Sequence, residues 1–262
     1  MSEKPAVLIT GASTGIGAVY AERFASRGHD LVLVARNAER MTILAKRLRE
    51  ETGVNVDLVP ADLTNPRDLA RIEQRLGEDA RVGVLVNNAG TAIPGGFLGQ
   101  EAEDISKLLA LNVTAVTRLA HAAARRFAQA GTGAIINLAS VIGVAPEMGV
   151  TVYGATKAFV LFLSQGLHLE LAPKGVYVQA VVPAATRTEI WDHAGVDLNT
   201  LSGVMEVGEL VDAALVGFDR RESVTIPPLP DAAQWKVFDA ARQAMLPNFL
   251  QAHAAERYRS VA

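Results

Sequence analysis

At 262 residues, 50% of them hydrophobic and 20% charged, the chain is long enough for one large α/β domain and too apolar to be disordered. A formal net charge of −3 gives no electrostatic footing for nucleic acid or an anionic membrane. No stretch approaches the ~20 apolar residues of a membrane span, and the lack of cysteine excludes disulfides, thiolate metal sites and a cysteine nucleophile.

The opening residues, Met-Ser-Glu-Lys-Pro-Ala-Val, run into an apolar strand without the long apolar stretch of a signal peptide; with no cysteine, a cytoplasmic protein is expected. Ala6–Thr10 reads as a buried strand, followed by a Gly-rich turn and a helix to about Arg27. Leu31–Ala35 is a second strand, and Asn37 is placed to cap a helix reaching about Glu51. Further strands are expected at Val54–Pro60, Val82–Asn87, Ala134–Ser140 and Val176–Pro183, with helices at Pro66–Leu76, Glu101–Ala130 and Val152–Ala172. Ser223–Ile226 reads as a last short strand. Continuous apolar strands separated by helices imply a parallel sheet covered on both faces, and right-handed crossovers make it doubly wound, with ligands beyond the strands' carboxyl ends. No linker or repeat divides the chain. One domain is expected over residues 1–262, with an irregular segment at about Ala184–Glu206 and a helical tail at about Asp231–Arg259.

Gly11, Gly15 and Gly17 lie between the first strand and the first helix. The spacing, Gly-x-x-x-Gly-x-Gly, differs from the usual dinucleotide fingerprint, but the physics is shared. Without a Cβ the main chain approaches a diphosphate, and the helix N-terminus offers its N–H groups to the charge. Arg36 follows the second strand, where an acid would suit a ribose 2′-hydroxyl and an arginine suits a 2′-phosphate, so NADP(H) is the expected cofactor. Ser13 and Arg40 are candidates for added phosphate contacts. Asp62 has two readings, an acceptor for the adenine amino group or a cap of the turn Asp-Leu-Thr-Asn-Pro. Of Asn87-Asn88-Ala89-Gly90, the first is read as a sheet brace and the other three as cofactor contacts.

Tyr153 and Lys157 are spaced to share a helix face. A nearby ammonium and a positively charged nicotinamide favour phenolate, and bringing a phenol from ~10 to ~7 needs about 4 kcal/mol. Such a phenol is a general acid in carbonyl reduction and a base in alcohol oxidation. Ser140 is placed to hydrogen-bond the substrate oxygen. Asn112, mid-helix against its propensity, is read as holding a water that leads to Lys157.

The chain at this point resembles the single-domain short-chain dehydrogenase/reductase family over about residues 5–190. The resemblance rests on Thr-Gly-x-x-x-Gly-x-Gly at Thr10–Gly17, Asn-Asn-Ala-Gly at Asn87–Gly90, the helix asparagine Asn112, Ser140, and Tyr-x-x-x-Lys at Tyr153–Lys157. It implies a three-layer, doubly wound Rossmann fold with a mostly parallel seven-stranded sheet. It implies hydride transfer with Asn112, Ser140, Tyr153 and Lys157 as the catalytic four, and Lys157 binding the nicotinamide ribose. The cofactor set is then Gly11, Ser13, Thr14, Gly15, Ile16, Gly17, Arg36, Asp62, Leu63, Asn88, Ala89, Gly90, Tyr153, Lys157, Pro183 and Thr188. One departure stands out: the family's Pro-Gly after the sixth strand is Pro183-Ala184 here, and alanine resists positive φ.

Family logic puts the substrate against Ile142, Val150, Ile190 and Trp191, with Val141, Val144 and Met148 nearby, an apolar wall suited to a hydrophobic ketone or its secondary alcohol. Glu147, Asp192 and His193 are the polar exceptions. The leading expectation is an NADPH-dependent carbonyl reductase acting reversibly as an alcohol dehydrogenase. The alternatives are a 3-oxoacyl-thioester reductase, docking its carrier on Arg118, Arg125 and Arg126, and a non-catalytic NADP-binding regulator. By analogy a homo-oligomer, dimer or tetramer, is expected. The histidines are scattered, so no metal is expected.

Overall fold

Apolar runs bounded by polar residues and glycine set the strands. The computed structural model describes residues 4–191 and 195–259. It places β1 at Ala6–Thr10, β2 at Leu31–Ala35, β3 at Val56–Pro60, β4 at Val82–Asn87, β5 at Gly133–Leu138, β6 at Val176–Val181 and β7 at Val224–Thr225. All pairings are parallel, in the order β3-β2-β1-β4-β5-β6-β7. β1, β2 and β6 are buried along their whole length, as strands covered on both faces must be. β5 and β6 stop two residues earlier than the apolar runs suggest, which leaves Ser140 and Pro183 in the loops beyond the sheet.

Of the first three helices, the second and third start at capping asparagines. α1 is Gly15–Ser26. α2, Ala38–Thr52, begins at Asn37, whose side chain accepts from Arg40 N at 3.0 Å, and closes at Gly53 with φ 74°. α3, Pro66–Glu78, has Asn65 as cap and proline in its first turn. The expected helix over 101–130 is instead three pieces: α4 at Ala102–Leu109, a π turn at Ala110–Ala115, and α5 at Val116–Ala130. α6 is Thr151–Leu171. A helix absent from the sequence reading, α7 at Val207–Asp219, precedes β7.

The helices make two outer layers. On one face Tyr20, Phe24, Met41, Leu48, Val211 and Leu215 pack against alternate strand residues such as Val7 and Leu33. On the other, Leu69, Ile72, Leu76, Leu119 and Phe127 cover Leu8, Leu85 and Ile135. The strand residues alternate between the two cores with the period of a pleated strand.

Contacts divide the chain into two units, Met1–Pro227 and Pro228–Ala262. Within the second, α8 spans Ala232–Ala244, capped by Asp231 accepting from Ala233 N at 2.8 Å. Trp235 and Phe238 stack there at 5.3 Å, and short helical turns follow at Leu246–Phe249 and Glu256–Tyr258.

Candidate active site

The strand order sets the carboxyl ends of β1, β4, β5 and β6 side by side, and the expected residues lie just past them. After β1 the chain turns on Gly11 (φ 66°) and Gly15 (φ 54°). A Cβ on Gly17 would stand 2.3 Å from Gly11 O, so α1 rests directly on the turn and only glycine fits. Thr10 Oγ1 accepts from both Asn88 N and Ala89 N at 3.0 Å. Asn88 Nδ2 donates to Thr10 O at 2.9 Å and Gly11 O at 3.2 Å. The Asn88 side chain, expected at the cofactor, therefore spends its donor on the turn and holds it to β4. Asn87, expected as a brace, donates to Asn137 Oδ1 on β5 at 3.0 Å.

At the start of α1, Thr14 makes no side-chain cap and the first turn holds no acid. The free N–H groups of such a helix end suit an anion. Beside them runs a groove of about 520 Å³ lined by Thr14, Gly15, Ala18, Arg187 and Thr188. The Thr188 methyl would lie 3.2 Å from a Cβ on Gly15, which places it over the turn. This cradle, which a side chain would fill, fits a dinucleotide's diphosphate. Ser13 and Ile16 are half-buried beside it.

Arg36, past β2, is exposed and makes no hydrogen bond or ion pair among the described residues. Asp62 Oδ1 accepts from Thr64 N at 2.9 Å and Thr64 Oγ1 at 2.7 Å, the turn-capping reading. Partial burial alone would raise its carboxyl. The Thr64 hydrogen bonds and the charge of Arg36 outweigh that and hold it below the ordinary range. The Leu63 side chain is buried in the core, leaving its main chain for any ligand. Arg40 is paired with Glu189, and its guanidinium is not free.

The four candidate catalytic residues come from β5's end, the π turn and α6. The turn Val141–Val144 lies so close to α6 that a Cβ on Gly143 would be 2.7 Å from Ala158 N, which brings Ser140 beside the face of α6 that carries Tyr153 and Lys157. Ser140 Oγ donates to Pro183 O at 3.3 Å. Lys157, 7% exposed, donates to Leu138 O at 2.8 Å, and its Nζ is 5.6 Å from the Tyr153 ring centroid. A Cβ on Gly90 would lie 3.4 Å from Asn112 Oδ1 and 3.6 Å from Lys157 Nζ, so one small space joins these residues.

Two expectations change here. Asn112 is buried, and its side chain is fully engaged: Oδ1 accepts from Thr91 N at 3.0 Å, and Nδ2 donates to Thr91 O at 2.9 Å and Thr156 Oγ1 at 3.2 Å. No side-chain donor is left for a water; the irregular main chain of the π turn is what remains. Thr91 and Thr156 are thus site residues that the sequence reading passed over, although each adjoins a motif. The second change is electrostatic. Burial pushes the Tyr153 phenol up to about 12 and the Lys157 amine down to about 8. The ammonium alone does not bring the phenol near neutrality, because taking both groups out of water favours both neutral forms.

On the substrate side, Ile142 packs on Gly154, one residue past Tyr153, with 3.0 Å between its Cγ2 and a Cβ built there. Val150 O accepts from Gly154 N at 2.7 Å. Ile190 and Trp191 lie in the segment after β6, held by Trp191 Nε1 donating to Thr186 O at 2.7 Å. Val144 and Met148 are exposed on the loop between β5 and α6. Ala184 takes no positive φ; Arg221 is the one non-glycine that does among the described residues, so the segment after Pro183 leaves the sheet without the family's glycine conformation. Asp192 and His193 lie outside the described residues. The expected basic face dissolves: Arg118 forks onto Glu73 at 2.5 and 2.6 Å, and Arg126 donates to Leu76 O at 2.7 Å and to Val82 O. Of these three arginines, Arg125 alone makes no hydrogen bond or ion pair with the described residues.

Comparison with known proteins agrees with this geometry. The family described as short chain dehydrogenase matches residues 5–198. A short-chain dehydrogenase from Sphingobium yanoikuyae, solved in complex with NADPH, is 67% identical with a TM-score of 0.96, covering 97% of this chain and 100% of that one. The bulky-bulky ketone specific alcohol dehydrogenase from Comamonas testosteroni is 60% identical with a TM-score of 0.92, covering 99% and 100%. The very-long-chain 3-oxoacyl-CoA reductase of Anas platyrhynchos is 34% identical over 188 residues, which are 70% of this chain and 60% of that protein.

Proposed function

The chain belongs to the short-chain dehydrogenase family, and we propose that it reduces hydrophobic ketones, including ones bulky on both sides, to secondary alcohols with NADPH, working in reverse as an alcohol dehydrogenase. The observation that carries this reading is the position of Lys157: its amine bonds Leu138 O, faces Gly90 and stands beside the Tyr153 ring, two strands over from the glycine turn. NADPH, when bound, supplies the hydride. The chain's own residues bind and move the proton. Glycines 11, 15 and 17 and the start of α1 receive the diphosphate. Arg36 has free donors for the 2′-phosphate, and Lys157 is within reach of ribose hydroxyls in the space at Gly90. Tyr153, kept protonated by burial, is in the state needed to give its proton to the ketone oxygen. Ser140 Oγ, turning its one hydrogen from the long bond to Pro183 O, would hold that oxygen while charge grows on it.

The ketone class is supported by the apolar rim and by what the Comamonas relative acts on. A 3-oxoacyl-thioester reductase is not favoured, since those relatives are distant and the arginines proposed to dock a carrier are spent within the fold. A non-catalytic regulator would not need the assembled site. The proposal includes a homo-oligomer, supported by the face of α5 and α6: a groove of about 320 Å³ floored by Ala120, Ala124 and Leu167, with Phe162 and Leu169 each 76% exposed beside it.

The test is NADPH absorbance decay with a diaryl ketone, a steroid ketone and an acetoacetyl thioester. Fastest decay with the diaryl ketone is expected. Preference for the thioester overturns the substrate class, and no decay with any of them overturns the activity.

A further inference from the structure

Arg40 and Glu189 are 149 residues apart, yet Arg40 Nη1 meets Glu189 Oε1 at 2.9 Å and Oε2 at 2.7 Å. Glu189 lines the nucleotide groove, and Arg40 reaches it from the helix that follows β2. Arg40 sits in the first turn of α2, with its own N–H tied to Asn37 and Arg36 just before that cap. Glu189 lines the groove next to Thr188, which covers Gly15. The remaining donors of the Arg40 guanidinium make no hydrogen bond among the described residues. A guanidinium grips carboxylate and phosphate with the same fork of donors. At the end of β2, where a 2′-phosphate is expected, the protein thus already holds an anion of its own.

Resting on the NADPH reading above, we propose that Glu189 is a specificity-determining residue: its carboxylate occupies Arg40 as an internal rival of the cofactor's 2′-phosphate and so narrows the preference for NADPH over NADH. A nucleotide with a 2′-hydroxyl leaves the pair intact. A nucleotide with a 2′-phosphate must draw Arg40 away from Glu189, or bind beside a cation already neutralised. The ion pair is about half exposed on both sides, 49% and 53%, so the rivalry is modest and sensitive to salt.

The experiment measures binding, not turnover. Dissociation constants of NADPH, NADH, 2′,5′-ADP and 5′-AMP are taken by calorimetry on wild type, Glu189→Gln, Arg40→Gln and the double variant. Glu189→Gln is expected to tighten NADPH and 2′,5′-ADP about threefold, the size of an exposed ion pair, and to leave NADH and 5′-AMP unchanged. The gain is expected to vanish in the Arg40→Gln background and to shrink at high salt. An unchanged NADPH/NADH ratio, weaker NADPH binding, or equal tightening of both nucleotides overturns the proposal. The underlying cofactor reading fails differently: wild type would then bind NADH as well as NADPH, and Arg36→Asp would not alter the ratio.

Discussion

The coenzyme side and the substrate side of this site are built from opposite materials. Around the glycine turn, polar side chains are locked to main chain: Thr10 to Asn88 and Ala89, Asn88 to Gly11, Asn112 to Thr91. Across the site, the loops carry apolar side chains in the open, with Met148 56% and Val144 39% exposed. The first arrangement leaves no room for a Cβ on Gly11 or Gly17. The second offers area without direction. Under the proposed activity, one coenzyme and varied ketones, rigidity suits one side and permissiveness the other.

The strongest way to break that contrast is at the group that serves both sides. Tyr153→Phe is expected to lower kcat for ketone reduction by about 10³-fold while NADPH binding, read by fluorescence, stays unchanged. A parallel loss of binding would mean that the phenol is part of the rigid coenzyme cradle instead. Next in size, Gly17→Ala sets a methyl 2.3 Å from Gly11 O. It is expected to cost about 1–3 kcal/mol of stability in urea titration and to abolish measurable NADPH binding. Full binding would show the turn to be softer than its contacts indicate.

A pH series sharpens the contrast at the proton. With the phenol raised to about 12, Tyr153 stays protonated at neutrality, the form the proposed reduction needs; the reverse oxidation would need its conjugate base and is expected to speed up as pH rises. Reduction is expected to fall above the Lys157 value of about 8, where the ammonium is lost. An oxidation rate flat through neutrality would mean that the occupied site already holds a phenolate. The smallest effect belongs to the open side. Met148→Ala is expected to change the kcat/KM ratio between a bulky and a small ketone about fivefold, with stability altered by less than ~0.5 kcal/mol.

Much of this was legible in the sequence. β1, β2 and β4 have the bounds of their apolar runs, and the cap Asn37 starts its helix, whereas Asn65, the cap of α3, was not read. Motif residues that sit at strand ends were found because parallel topology forces ligands there. α7 was not read: Gly208 and Gly217 punctuate both of its ends, although Leu210, Val211, Ala214 and Leu215 have helical spacing. Gly217 is there because a Cβ would stand 2.1 Å from Thr225 Oγ1, a reason that lies in packing. The spent donors of Asn88 and Asn112 and the Arg40–Glu189 pair join distant residues, and no local pattern announces them.

The π turn at Ala110–Ala115 carries one more consequence. It accommodates a surplus residue in what would otherwise be an unbroken α-helix. Deleting a single position there would let an unbroken α-helix run from α4 into α5 and remove the widened turn that carries Asn112. The shortened protein would be more regular and, with Asn112 rotated out from between Thr91 and Thr156, less able to work. An apparent flaw in periodicity is what carries Asn112 to Thr91 and Thr156.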